Sequence, residues 1–128
     1  MLKVLVVDDS KIILKVVHGY LTSRGCEVEM CDGPFGVLNK IKAYCPDVLL
    51  LDMQMPGLSG SRLAVMLKEK KDMPCTPRVF SFSSESEAFQ RELVRQGLVE
   101  GFFFKQDGNM DGLYEMITVP KPSPAMAR

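Results

Sequence analysis

Short apolar runs alternate with amphipathic segments five times along the chain. The runs predict β-strands, which are Lys3–Val7, Glu27–Met30, Val48–Leu51, Arg78–Phe82 and Gly101–Phe104. Between them, apolar residues recur at helical spacing, beginning with Ile12, Ile13, Val16, Val17, Tyr20 and Leu21. This alternation predicts a single α/β domain, with a parallel sheet and helices on both of its faces.

Local signals predict where several helices begin and end. Ser10 can cap the first helix, which is expected to run to Gly25. Gly33-Pro34 is expected to open the second helix, because proline suits a first helical turn. The third helix should end in the charged segment Lys68–Asp72. The apolar positions of the last three helices are Leu63, Met66 and Leu67; Phe89, Leu93 and Val94; and Met110, Leu113, Tyr114 and Ile117.

A change in composition marks the end of the predicted domain. Residues 1–119 carry the alternation of strands and helices, and Pro120, Pro122 and Pro124 follow it. Proline cannot continue a helix, so residues 120–128 are predicted to form an extended tail. This tail could be a linker toward an output module, a native C-terminal tail or a cloning remnant.

Composition and charge narrow the possible functions. With 128 residues, of which 46% are hydrophobic, the chain can form one domain with a substantial core. Sixteen basic and sixteen acidic residues give a formal net charge of zero, whereas nucleic-acid binders normally carry a basic excess or stripe. The apolar runs are too short to cross a bilayer, and the first strand begins too close to Met1 for a secretory signal. We therefore expect a cytoplasmic protein that binds neither nucleic acid nor membrane.

The four cysteines stand at positions 26, 31, 45 and 75, and His18 is the one histidine of the sequence. No two cysteines have Cys-x-x-Cys spacing, so the set does not match a structural zinc site. The spacing leaves a disulfide open, but thiols normally stay reduced in the cytoplasm. The cysteines are therefore expected to be reduced and mostly structural.

Polar side chains cluster where the predicted strands end. They are Asp8 and Asp9 after the first strand, Asp52 after the third, Ser83 and Ser84 after the fourth, and Lys105 after the fifth. Ligands of parallel α/β sheets bind outside these carboxyl ends. Three carboxylates at one edge would raise one another's pKa values, and Mg2+ resolves that conflict because it prefers carboxylate, water and phosphate oxygens. A carboxylate can also attack phosphorus while metal, lysine and hydroxyl groups neutralise charge.

The sequence around these residues resembles the response-regulator receiver family of two-component signalling. The resemblance rests on Val4–Ser10, Leu49–Gly57 and Phe102–Lys105, and it extends from about Leu2 to Val119. It implies a doubly wound (βα)5 fold of the flavodoxin type, with strand order 2-1-3-4-5. It also implies a phosphorylatable signalling switch and not a turnover enzyme.

The resemblance assigns metal and phosphoacceptor roles to the acidic residues. Asp52 would accept the phosphoryl group. Mg2+ would be bound by Asp52, by Asp9 directly, by Asp8 directly or through water, and by the backbone carbonyl of Gln54. Gln54 and Glu85 would occupy the two variable positions that tune the rates of phosphorylation and dephosphorylation.

The remaining family positions concern recognition of the phosphoryl group and output. Ser83 and Lys105 would bind the phosphoryl oxygens, with Ser83 preferred over the neighbouring Ser84 because of its spacing. Phe102 would be the switch aromatic, coupled to Ser83. A histidine kinase or phosphotransfer protein would supply the phosphoryl group. A downstream protein, an output domain or a second copy in a dimer would dock on the fourth helix, fifth strand and fifth helix.

One departure from the family pattern supports an alternative function. Proline usually follows the family's lysine, whereas Gln106 follows Lys105. A cis bond is not expected there, because a non-proline cis bond costs about 2.5–4 kcal/mol. The loop that aims Lys105 can therefore differ from that of the family. The alternative is a pseudo-receiver, the same fold used as a phosphorylation-independent interaction module.

Two further classes fit the sequence less well. A phosphatase of the haloacid-dehalogenase type carries its nucleophile in Asp-x-Asp at the first strand, whereas Asp52 follows the third strand and Gln54 offers no general acid. A flavodoxin-like cofactor binder needs a site for the FMN phosphate. The first strand ends in two acids, and no glycine-rich phosphate loop follows it.

Overall fold

The computed structural model describes residues 1–120, so the predicted tail, apart from Pro120, lies outside the described residues. The strands are β1 (Lys3–Val7), β2 (Glu27–Cys31), β3 (Val48–Leu51), β4 (Arg78–Ser83) and β5 (Gly101–Phe104). The helices are α1 (Lys11–Ser23), α2 (Val37–Tyr44), α3 (Gly60–Glu69), α4 (Glu87–Arg95) and α5 (Met110–Thr118), with a 3-10 turn at Lys105–Asp107. No helix within residues 1–120 has the length and apolar character needed to span a membrane.

The strands form one parallel sheet in the order β2-β1-β3-β4-β5, which confirms the order implied by the resemblance. Strand β3 lies at the centre, paired with β1 on one side and with β4 on the other. All four residues of β3 are buried, as expected for a strand that is covered on both faces.

Each face of the sheet has its own hydrophobic core. On one face, α1 and α5 pack against alternate strand residues, including Val6, Leu50 and Phe82. On the other face, α2, α3 and α4 pack against the strand residues that lie between those of the first face, including Leu5 and Leu49. The alternation of side chains along each strand thus supplies both cores.

The helix boundaries confirm most of the predicted signals and correct one. The Ser10 hydroxyl accepts a hydrogen bond from the Ile13 amide and caps α1. Helix α3 ends at Glu69, inside the charged stretch where its end was expected. The prediction that Gly33-Pro34 opens α2 is wrong, because the helix begins at Val37. Gly36 precedes it with a φ of 85°, a left-handed conformation that cannot belong to a right-handed helix.

The structure joins Cys45 and Cys75 by a disulfide, with the two Cα atoms 5.7 Å apart. The prediction that all the cysteines are reduced is therefore wrong for this pair, while Cys26 and Cys31 are free. Val48 pairs with Arg78 at the start of the neighbouring strands β3 and β4. Each bonded cysteine stands three residues before its strand, so the register of the sheet brings the two together.

Candidate functional site

Two buried carboxylates lie side by side at the carboxyl edge of the sheet. Val7 at the end of β1 pairs with Leu51 at the end of β3. Asp8 follows Val7 in the sequence, and Asp52 follows Leu51. Asp8 is 0% exposed and Asp52 is 2% exposed. The Asp52 amide donates to the Val7 carbonyl at 3.0 Å, so the sheet hydrogen bonds continue into the site and fix the spacing of the two carboxylates.

The structure also brings Asp9 to these two residues. Oxygen atoms of Asp8, Asp9 and Asp52 all lie within 4.8 Å of one another, and Asp9 is exposed while the other two are buried. One oxygen of each buried carboxylate is bound to the local backbone: Asp8 Oδ1 accepts the Ser10 amide at 2.9 Å and Asp52 Oδ1 accepts the Gln54 amide at 3.1 Å. The second oxygen of each buried carboxylate, Oδ2, points away from these backbone amides and toward Lys105.

Lys105 extends from the 3-10 turn after β5 and contacts both buried carboxylates. Its Nζ lies 2.6 Å from Asp8 Oδ2 and 3.1 Å from Asp52 Oδ2. No peptide bond within residues 1–120 is cis, in agreement with the expectation for Gln106. The departure at position 106 therefore leaves the lysine directed at the acidic pocket.

Burial and charge shift the pKa values of this cluster. Burial raises the pKa of Asp52 from 3.8 to about 6, with a contribution in the same direction from the Asp8 charge, although the Gln54 amide and Lys105 oppose it. Burial alone would lower the pKa of Lys105, but its contacts with Asp8 and Asp52 outweigh burial, so its pKa is raised. The lysine is thus held in its charged form beside a carboxylate that ionises at a higher pH than usual.

The two serines predicted at the end of β4 lie in different environments. Ser83 is fully buried at the last position of the strand, and its hydroxyl oxygen accepts the Glu85 amide at 3.2 Å. Ser84 is exposed, because it lies one residue beyond the end of β4, outside the covered sheet. Ser83 thus faces the same interior as Ser81, and this environment supports the preference for Ser83.

Phe102 lies on the side of β5 that faces α4. It pairs with Ser81 of β4 and is partly buried. Its ring packs edge to face against Phe104, and the guanidinium carbon of Arg91 lies 5.6 Å from its ring centroid. The side chain thus occupies the boundary between the sheet and α4. At the two variable positions, Gln54 is exposed and Glu85 is partly buried.

Sequence reasoning missed two residues next to the site. Gly60 begins α3, and a Cβ atom there would lie 1.9 Å from the carbonyl oxygen of Asp52. Gln90 of α4 is fully buried and hydrogen-bonded to Ser81. The sequence around Gly60 does not indicate its close contact with Asp52. Gln90 stands three residues before Leu93, and this spacing places it on the apolar face of α4.

The donor set fits a hard divalent cation. The pocket offers carboxylate oxygens of Asp8, Asp9 and Asp52 from the ends of two adjacent strands. Carboxylate oxygens are the ligands that Mg2+ takes from proteins, and it keeps several water ligands that need an open side. The exposed Asp9 provides that side, since it lies at the solvent edge of the cluster.

Comparisons with known proteins agree with this geometry. The family profile described as Response regulator receiver domain matches residues 4–118. The protein PilG of Pseudomonas aeruginosa is 30% identical over 119 residues, which cover 93% of this chain and 77% of PilG. A protein-glutamate methylesterase/protein-glutamine glutaminase of Hahella chejuensis is 32% identical over 100 residues, which cover 77% of this chain but 27% of that protein.

A solved structure shows the same fold. The receiver domain of the Francisella response regulator 1452 is similar with a TM-score of 0.81, at 23% identity, over 93% of this chain and 95% of that chain. The profile match covers the other four strands and all of β1 except Lys3, and it contains every acidic residue of the pocket together with Lys105. The chain therefore belongs to the response regulator receiver domain family.

Proposed function

We propose that this receiver domain is a cytoplasmic phosphorylation switch in which Asp52 accepts a phosphoryl group from a histidine kinase or phosphotransfer protein, with Mg2+ bound beside it. The observation that carries the proposal is the contact of Lys105 with both Asp8 and Asp52, at 2.6 and 3.1 Å. A fixed ammonium group beside a carboxylate nucleophile suits the charge of an incoming phosphoryl group.

The chemistry proposed for Asp52 follows from its position. One carboxylate oxygen would attack the phosphorus of a phosphohistidine, so that a P–O bond forms while the P–N bond breaks and the imidazole leaves with a proton. The carboxylate must be ionised, which favours pH values above its pKa of about 6. Lys105 would then face the phosphoryl oxygens. Mg2+, held by Asp8, Asp9, Asp52 and the Gln54 carbonyl, would neutralise further negative charge.

The output proposed for this switch runs through Ser83 and Phe102. The Ser83 hydroxyl would donate to a phosphoryl oxygen, and Phe102 would turn inward into the space released. Two pre-existing arrangements of α4, β5 and α5 would thereby change in population. Phenylalanine suits such a move because it has no hydroxyl that would need a partner inside. A partner, an output domain or a second copy would dock on this face.

Phosphorylation of Asp52 is tested with a small phosphodonor. The protein is incubated with acetyl phosphate, with and without Mg2+, and its intact mass is measured. We expect the wild type to gain one phosphoryl group only with Mg2+ and the Asp52→Asn variant to gain none. Asp72→Asn, at an exposed acid outside the pocket, is the control and should behave as the wild type. A phosphoryl group on the Asp52→Asn protein would refute the assignment.

The same experiment distinguishes the phosphorylation switch from the alternative, a pseudo-receiver. That alternative drew its support from Gln106, which could have moved the lysine away. The contacts of Lys105 with both carboxylates weaken this support. A wild-type protein that gains no phosphoryl group in the presence of Mg2+ would favour the pseudo-receiver.

A further inference from the structure

Helix α4 turns a polar side chain toward the sheet at its most buried position. Gln90 is 0% exposed and stands one helical turn before the apolar Leu93. A buried amide is unfavourable unless hydrogen bonds replace its water contacts. Both ends of the Gln90 amide have a partner: Oε1 accepts from the Ser81 hydroxyl at 2.7 Å, and Nε2 donates to the Glu85 carbonyl at 2.9 Å.

These bonds connect α4 to Ser83. The Glu85 amide donates to the Ser83 hydroxyl oxygen, while the carbonyl of the same residue accepts from Gln90. Hydrogen bonds therefore link Ser83 through Glu85 and Gln90 to Ser81, and the backbone of β4 connects the two serines. Ser81 and Ser83 lie two residues apart on one face of the strand, so both hydroxyl groups reach this path.

We infer that Gln90 is a positioning residue that transmits a change at the Ser83 hydroxyl to helix α4. This inference rests on the proposed function, because the change considered is the attraction of Ser83 to a phosphoryl group on Asp52. When the hydroxyl turns toward that group, its bond to the Glu85 amide is altered. The Glu85 carbonyl belongs to the same short turn, and Gln90 carries its movement into the helix.

The hydrogen-bonded residues on β4 and α4 also lie next to Phe102, the proposed switch residue. Ser81 pairs with Phe102 on the neighbouring strand β5, and Arg91 on α4 packs over the Phe102 ring. Gln90 precedes Arg91 in the helix and binds Ser81. A displacement of Gln90 therefore changes both sides of the boundary that holds the Phe102 ring. An apolar residue at position 90 would hold α4 by packing alone, which is not directional.

The test compares Gln90→Met with wild type. Methionine has a similar length and volume but cannot form the two hydrogen bonds. Gln96→Met, at the exposed C-cap residue of the same helix, is the matched control. The readouts are phosphoryl uptake by intact mass and the amide NMR shifts produced by beryllofluoride with Mg2+. Circular dichroism reports whether each variant is folded.

We expect Gln90→Met to take up the phosphoryl group and to show wild-type shift changes at Asp52 and Gln54. The shift changes of the α4 amides should fall about five-fold, the lower end of common allosteric coupling, while Gln96→Met retains them. A purely structural role would lower stability without separating these two responses. Full α4 shift changes in Gln90→Met would overturn the inference.

Two further outcomes keep the tests separate. If Gln90→Met does not fold, Ser81→Ala decides, because it removes one hydrogen bond of the path and should therefore weaken the α4 shift changes. Wild-type α4 shifts in Ser81→Ala would then overturn the inference. If the wild type gains no phosphoryl group and shows no shift at Asp52, the proposed function fails instead.

Discussion

Replacing Cys45 with glycine should change the stability of the domain in opposite directions under oxidising and reducing conditions. Cys45 follows α2 with a φ of 48° and a ψ of 64°, the left-handed conformation that glycine adopts without penalty. Within residues 1–120, Cys45 is the one residue other than glycine that has a positive φ. The same residue forms the disulfide with Cys75, so one substitution removes both a strained backbone position and a crosslink.

The two effects differ in size. The bonded cysteines are 30 residues apart, for which the chain-entropy model gives about 3.5–4 kcal/mol of stabilisation. The left-handed conformation costs an L-residue about 1–2 kcal/mol, and glycine removes this cost. Part of the gain is offset by about 0.5–1 kcal/mol, because glycine has greater conformational freedom in the unfolded chain. Cys45→Gly should therefore be about 3 kcal/mol less stable than the oxidised wild type and up to about 1 kcal/mol more stable than the reduced wild type.

Urea unfolding followed by far-ultraviolet circular dichroism measures both differences. The chain has no tryptophan, so tryptophan fluorescence does not apply. Samples are compared with and without dithiothreitol, and thiol alkylation of the unfolded protein counts the free cysteines. Cys45→Ser is the matched control, because it removes the crosslink and keeps the left-handed L-residue. It should match the reduced wild type under both conditions.

Two results would refute this reasoning. Four alkylated thiols before reduction would show that the crosslink does not form in solution. A Cys45→Gly variant no more stable than Cys45→Ser would show that the backbone at position 45 is not strained. The urea dependence is a further check, because a crosslinked unfolded chain exposes less surface and gives a smaller m-value.

Three other predictions concern the carboxyl edge of the sheet. In metal-free protein, the unfolding free energy of the wild type should fall relative to that of Asp52→Asn as the pH rises from about 4 to 6. The reason is that the Asp52 carboxyl group binds its proton more tightly in the folded state than in the unfolded state. Urea unfolding at pH 4 and at pH 7.5 should show that this difference changes by up to about 3 kcal/mol. Lys105→Ala should retain Mg2+ binding, measured by calorimetry, but weaken the NMR response to beryllofluoride, because in the proposed function its ammonium would contact the phosphoryl oxygens and would not be a metal ligand. Gly60→Ala should destabilise the fold by about 3 kcal/mol or more in urea unfolding, because its Cβ would lie 1.9 Å from the Asp52 carbonyl oxygen.

The strands and the acidic pocket could be predicted because their signals are local. Val4–Val7 of β1 and all of β3 are continuous apolar runs, and the first polar residue after each run marks the carboxyl edge, which locates Asp8 and Asp52 without knowledge of the strand order. Ser83 was preferred over Ser84 because of its spacing, and in the structure Ser83 is buried at the end of β4 while Ser84 is exposed just beyond it. The strand order was implied by the family resemblance and is now observed in the sheet.

The features that escaped prediction depend on contacts and backbone conformations that local residue patterns do not reveal. The disulfide requires the register of β3 and β4, which residue spacing along one chain does not contain. The partners of Gln90 lie five and nine residues away, on a loop and a strand. The start of α2 was misplaced because a proline at a turn and a proline in a first helical turn look alike locally, while Gly36 with its positive φ sets the boundary.

The charge balance of the pocket connects its stability to its proposed function. Asp8 and Asp52 are both buried, and the single positive charge of Lys105 contacts both of them. When both carboxylates are ionised, the buried group carries one excess negative charge, and the exposed Asp9 adds another at its edge. The Asp8 charge contributes to the raised pKa of Asp52, after the larger effect of burial and against the opposing effect of Lys105. In the proposed function, the excess negative charge would favour a divalent cation at the open side and would leave the lysine charge for an incoming phosphoryl group. A pocket of neutral overall charge would be more stable without metal, but it would lose both properties.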